Sequence, residues 1–249
     1  MNPYANRPSW TYWKTAVSDR HVADLESLAA PLKLDRKDKV ATAGSCFAQH
    51  IGRHLRAERY HFLDLEPAPS CVPMDQRSRF GFGVYSCRYG NIYTARQLRQ
   101  LLQEALGERS VDDLVWESKG RFYDALRPSI DPVGQPDSGR ILHMRRLHLD
   151  QVANLFRSLD VLVFTLGLTE AWVNKSDGTI YPSAPGVIAG SFDPERYEFI
   201  NFRSTEVAED LTDFWKSLRR INPTARMILT VSPVPLTATA TSHHVLRCV

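Results

Sequence analysis

Three short segments hold residues able to do chemistry. Gly44-Ser45-Cys46 sets a hydroxyl and a thiol side by side behind a glycine, directly after the strand-like run from Asp38 to Ala43. Gly167-Leu168-Thr169-Glu170 and Ser232-Pro233-Val234-Pro235 each follow a continuously apolar run. A glycine lets the backbone turn sharply, and the residues beyond such a turn fall at a helix N-terminus. Free N–H groups and the helix dipole there favour a developing anion. A hydroxyl or thiol at that point is well placed for nucleophilic attack. The same letters also have a plainer use. Gly-Ser before a helix is a common N-cap, and Cys is often buried as a small apolar residue.

The surrounding elements decide whether these segments meet. After the first turn, Phe47, Ile51 and Leu55 recur at four-residue spacing with Arg53, Arg56 and Glu58 off that face, which predicts an amphipathic helix. The stretch from Pro67 to Asn91, with three prolines and three glycines, reads as a long irregular loop of the kind that carries function. Thr94 starts a helix with Gln97 completing a capping box, a stripe of Leu98, Leu101, Leu102 and Ala105, and a stop at Gly107. Leu149, Val152, Phe156 and Leu159 mark another helix, followed by the unalternated apolar strand Asp160 to Leu166. Val207, Leu211, Phe214, Leu218 and Ile221 define a third long helix that Asn222-Pro223 stops, and Ala225 to Ser232 reads as a further buried strand. Helices alternating with such strands predict a three-layer α/β/α sandwich on a mostly parallel sheet, in which ligands bind beyond the carboxyl ends of the strands.

Composition narrows the classes. The 249 residues are 43% hydrophobic and 24% charged, an ordinary globular balance that excludes disorder, collagen and coiled coil. The net charge of +3 is spread evenly, which gives no case for nucleic acid or a membrane surface. Cys46, Cys71, Cys87 and Cys248 form no C-x-x-C pair, so zinc is not expected and reduced thiols in a cytoplasmic setting are. No apolar leader precedes Arg20, and Met1 to Trp13 reads as an irregular arm packed on the domain. No nucleotide-binding glycine motif follows a strand, and no cofactor is implied.

Gly44-Ser45-Cys46-Phe47-Ala48 is the string that gives the GSCFA family its name, and the chain resembles that family and, through it, the SGNH/GDSL-type hydrolases. Asn2-Pro3-Tyr4, Trp13 to Val17, Gly90 to Gln97, Leu166 to Trp172 and Val231 to Leu236 look like further family blocks in family order, so the likeness covers nearly the whole chain. It implies an ester hydrolase or acyltransferase acting on a small-molecule or carbohydrate ester, with Ser45 or Cys46 as nucleophile. The two registers are open at this point. The resemblance also implies Asn91 as an oxyanion donor, and Gly44, Gly167, Thr169 and Glu170 as further site residues. Thr169 stands where related hydrolases carry Asn, and Glu170 has Arg96 as a potential partner. None of the eight histidines, His148 among them, has a catalytic setting in its own segment.

Related hydrolases take their base from a late Asp-x-x-His block, and the chain reaches Val249 without it. The resemblance therefore implies a single domain lacking its last strand and helix, impaired as an enzyme, with an exposed sheet edge able to self-associate. The competing expectation is a non-catalytic module that keeps the cleft and binds a ligand.

Overall fold

A computed structural model describes residues 2–21, 33–234 and 236–245. The backbone divides into two units, Met1–Asp35 and Arg36–Val249. Pro235 of the third strand end, and Cys248, lie outside the described residues. The first unit is less irregular than its composition suggests. Ser9–Thr11 forms a 3-10 turn and Lys14–Ser18 a π-helical turn, closed by Asp19 N donating to Lys14 O at 2.9 Å.

In the second unit the chain runs through β1 (Val40–Ala43), α1 (Cys46–Ala57), α2 (Met74–Arg77), α3 (Ala95–Ala105), β2 (Val115–Ser118) and β3 (Arg121–Asp124). It continues through α4 (Ser138–Ser158), β4 (Val161–Leu166), β5 (Glu170–Asn174), β6 (Ile180–Tyr181), β7 (Tyr197–Asn201), α5 (Ser204–Ile221) and β8 (Arg226–Val231).

The principal sheet is parallel, in the order β1-β4-β8, with Ala43 opposite Phe164 and Phe164 opposite Leu229. Alternation along a strand sends successive side chains to opposite faces. Ala41, Ala43, Leu162 and Phe164 belong to the main core with Leu98 and Leu102 of α3, Val152 and Phe156 of α4, and Phe214 and Leu218 of α5. Thr42 points the other way, against Gly52 of α1. Helices thus cover both faces, and the α/β sandwich expected from the pattern is the architecture found.

The capping box at α3 is present in full. Thr94 Oγ1 accepts from Gln97 N at 3.2 Å, while Gln97 Oε1 accepts from Thr94 N at 3.1 Å. The Pro67–Asn91 segment, expected as loop, contains α2 and a following 3-10 turn at Ser78–Phe80. Two antiparallel sheets were not expected at all. One is the hairpin β2–β3, and the other has the order β6-β5-β7. β8 also differs from expectation. It is an edge strand rather than a buried one, with Leu229 45% and Val231 76% exposed.

Candidate active site

Gly44 directly follows β1, and its φ of +143° lies where side chains are strained. A Cβ there would stand 2.9 Å from both Cβ and O of Thr165 on β4, so the turn is pressed onto the neighbouring strand. Ser45 follows as the N-cap of α1, yet its side chain makes no capping hydrogen bond. Ala48 N reaches the main-chain oxygen of Ser45 at 3.0 Å, which starts the helix. Ser45 is 5% exposed, whereas Cys46, the first helical residue, stands at the surface.

Two other segments are stitched to this turn through the main chain. Ile92 N donates to Gly44 O at 2.9 Å. Leu168 N and Gly167 N donate to Tyr93 O at 2.9 and 3.3 Å. Gly167 allows the closest approach, because a Cβ there would meet Tyr93 O at 3.2 Å and Ser45 Oγ at 3.4 Å. Segments far apart in the chain, around Ser45, Asn91 and Gly167, therefore meet beyond the carboxyl ends of β1 and β4, where parallel sheets place their ligands.

Side chains extend the junction. Asn91 Nδ2 donates to Tyr93 Oη at 2.8 Å, and Asn91 Oδ1 receives the Tyr85 hydroxyl. Gln49 of α1 donates to Tyr85 Oη at 2.9 Å and reaches Asn91 Oδ1 at 3.5 Å. Burial pushes the Tyr93 phenol above its ordinary pKa, with the Asn91 hydrogen bond acting the other way and Cys46 adding to the rise. Tyr85 is likewise raised, chiefly by burial.

Beside the junction opens a cleft of about 150 Å³ whose walls include Tyr93, Leu168, Glu170, Trp172, Phe199 and Leu236. Neither Ser45 nor Cys46 lines it; the turn meets the cleft through Tyr93 and Leu168. Thr169 faces solvent and its carbonyl accepts from Phe202 N at 2.8 Å. Glu170 begins β5 rather than a helix, and it receives the Thr239 hydroxyl at 2.6 Å. Arg96, its anticipated partner, is instead committed to Asp210 through Nε at 2.7 and 2.8 Å. The bridge from Glu170 to Thr239 brings the segment after β8 over the cleft.

The sequence reading passed over Gln49, Tyr85, Tyr93 and Thr239. Tyr93 had a signal, since it lies two residues from Asn91 in an extended stretch and so shares its side. His148, a helix residue without a catalytic setting in its own segment, has a structural one. It is 1% exposed, with Nδ1 2.6 Å from Glu66 Oε2. It belongs to a buried ionic cluster in which Arg127 Nε meets Asp124 at 2.6 Å and Arg145 Nε meets Glu104 at 2.9 Å.

Among the described residues no three His, Cys, Asp or Glu side chains gather as a metal site needs. No described helix is long and apolar enough to cross a membrane. Cys46, Cys71 and Cys87 are free.

Fold and junction together define an α/β sandwich protein that carries adjacent hydroxyl and thiol groups at the strand-to-helix turn of its first strand. The GSCFA family model matches residues 39–248, and the chain belongs to that family. No curated protein and no solved structure matches it.

Proposed function

We propose that the protein is an acyl-ester hydrolase or acyltransferase of the SGNH-like kind, acting through Cys46. The observation that carries this reading is the exposure of Cys46 at the first turn of α1, immediately after the strained bend at Gly44, while Ser45 is buried against Gly167. A cysteine is a few per cent thiolate at neutral pH and strongly nucleophilic in that form. The helix N-terminus favours negative charge at this point. Thiolate sulfur attacks the acyl carbon, and the ester alkoxide leaves and takes a proton from water. Water or an alcohol then resolves the thioester and returns the thiol. Gly44 and Gly167 let the three segments close on the turn, and Glu170 lines the cleft that receives a small-molecule or carbohydrate ester, with the exposed Thr169 next to it in the chain.

The experiment uses p-nitrophenyl acetate and intact-mass detection of an acylated chain. Cys46→Ala is expected to abolish acylation and bring ester turnover to background, while Ser45→Ala keeps both. If Ser45→Ala is the inactive variant, the nucleophile is the hydroxyl. If neither substitution matters, the turn is not the reactive site.

A second reading is a ligand-binding module without turnover. It is favoured by one observation, that the aromatic walls of the cleft, Tyr93, Trp172 and Phe199, do not include Ser45 or Cys46. Thermal stabilisation by an ester or sugar ligand that the protein never cleaves is the outcome that selects it.

A further inference from the structure

The Asn91 amide is held at both ends. Its oxygen receives Tyr85 and its nitrogen gives to Tyr93, so its orientation follows from its neighbours. The phenol of Tyr93 therefore accepts a hydrogen bond, which leaves its own proton to give. Among the described residues no acceptor takes that proton. The main chain of Tyr93 is fixed as firmly: its N–H donates to Gln97 Oε1 at 2.9 Å, and its carbonyl receives Leu168 N at 2.9 Å. Tyr93 is also a wall of the cleft, and it is tied to the Ser45-Cys46 turn on both sides. Its neighbour Ile92 N donates to Gly44 O at 2.9 Å, and its phenol is joined through Asn91 to Gln49 in the first turn of α1. A phenol ordinarily keeps its proton at neutral pH, and burial strengthens that preference here, so the Tyr93 hydroxyl has a proton to donate.

We propose that Tyr93 is a catalytic hydrogen-bond donor to the carbonyl oxygen of the ester under attack, and that Asn91 is its positioning residue. The inference rests on the acyl-transfer reading above and deepens it. Sulfur gives an electron pair to the acyl carbon as the carbonyl pair moves onto oxygen. The Tyr93 O–H holds that oxyanion without releasing its proton. The carbonyl then reforms and the alkoxide leaves. A preorganised donor of this kind stabilises the transition state more than the ground state, so its removal appears in kcat.

The test uses the full chain with p-nitrophenyl acetate, alongside the rate at which iodoacetamide alkylates Cys46. Tyr93→Phe keeps the ring and deletes the hydroxyl. It is expected to lower kcat about a hundredfold, with KM and the alkylation rate unchanged. Asn91→Leu is expected to lower kcat on the order of tenfold in the parent and to have no further effect in Tyr93→Phe, because it acts through the phenol. Wild-type turnover by Tyr93→Phe overturns the proposal. So does a matching fall in alkylation, which makes the phenol a modulator of the thiol. Absence of Cys46-dependent turnover in the wild type overturns the acyl-transfer reading itself, and is distinguishable because it appears before any substitution at Tyr93.

Discussion

Gly44 concentrates the demands of the site in one residue. Its φ of +143° and the 2.9 Å approach of Thr165 to a would-be Cβ act together, since a side chain would be both strained and overlapped. The overlapping atoms are a strand carbonyl and a β-branched Cβ, which are not free to swing aside. Gly44→Ala is therefore expected to cost about 3 kcal/mol of folding stability, measured by urea unfolding, and to slow Cys46 acylation as the turn is displaced. A loss below about 0.5 kcal/mol, the size of a neutral surface change, would mean the turn relaxes freely. The buried neighbour Ser45 illustrates the same economy. It occupies the N-cap position without capping, because its hydroxyl faces the Gly167 backbone instead of the first turn of α1.

Among the elements, β8 is the one least satisfied by its surroundings. It pairs with β4 on one side, and among the described residues no strand pairs with the other. Leu229 and Val231 add apolar side chains to that open edge. Unpaired N–H and C=O groups beside exposed hydrophobes are a template for pairing with a second copy. Self-association is expected, seen as a mass that rises with concentration in sedimentation, and Val231→Lys is expected to shift the chain toward monomer. A wild type that stays monomeric at high micromolar concentration removes this proposal. The neighbouring helices show what legible elements look like. α3 and α5 have the stripes, starts and stops their sequences predict, because Leu98 and Leu102 of α3 and Phe214 and Leu218 of α5 recur at helical spacing and enter the main core, even though Gln97, Gln100 and Asp210 are buried as well. α4 was legible only from Leu149 onward. Its earlier turns bury Arg145 and His148 along with Ile141, so the apolar period is broken by polar side chains that only tertiary partners make tolerable. Both antiparallel sheets had signals that went unused. Lys119-Gly120 forms a two-residue hairpin turn with φ of +52° and +71°. Asp177-Gly178 marks the turn between β5 and β6, with Gly178 at +70°.

At the scale of the whole molecule, the buried ionic cluster ties α4 to α3, β3 and the segment carrying Glu66. Burial would raise Asp124, but Arg145 and Arg127 outweigh it and hold that carboxylate below its usual range. Burial depresses His148, and Arg127 and Arg145 depress it further. Glu66 is raised, again by burial, against the pull of Arg127. The signs give a pH dependence. An unfolded histidine binds a proton below about pH 6.5 that folded His148 refuses, so its contribution is present above that pH and lost as pH falls. Glu66 acts oppositely, losing stability as pH rises above about 4.3. In Glu66→Gln, with the opposing carboxyl gone, unfolding free energy is expected to fall on acidification by up to about 1.4 kcal/mol per pH unit. Urea midpoints measured between pH 7 and 5 check this, and a flat profile would mean that His148 takes up the proton while folded.

The amino-acid order alone determined the glycine bend with its serine and cysteine, the capped helix after Thr94, the apolar strand before Gly167, and hence the α/β class and the family. These are local: each follows from torsion limits, capping or the period of apolar residues within a dozen positions. Only the tertiary structure decided that Ser45 is buried while Cys46 is exposed, that Arg96 goes to Asp210 and leaves Glu170 to Thr239, and that Asn91 is bracketed by Tyr85 and Tyr93. The Arg96 and Glu170 choices depend on surfaces that meet across 114 and 69 residues, and the Asn91 bracket, though only six and two residues wide, depends on how an irregular loop folds back on itself. Spacing along the chain carries no information about distance once the chain has turned back on itself.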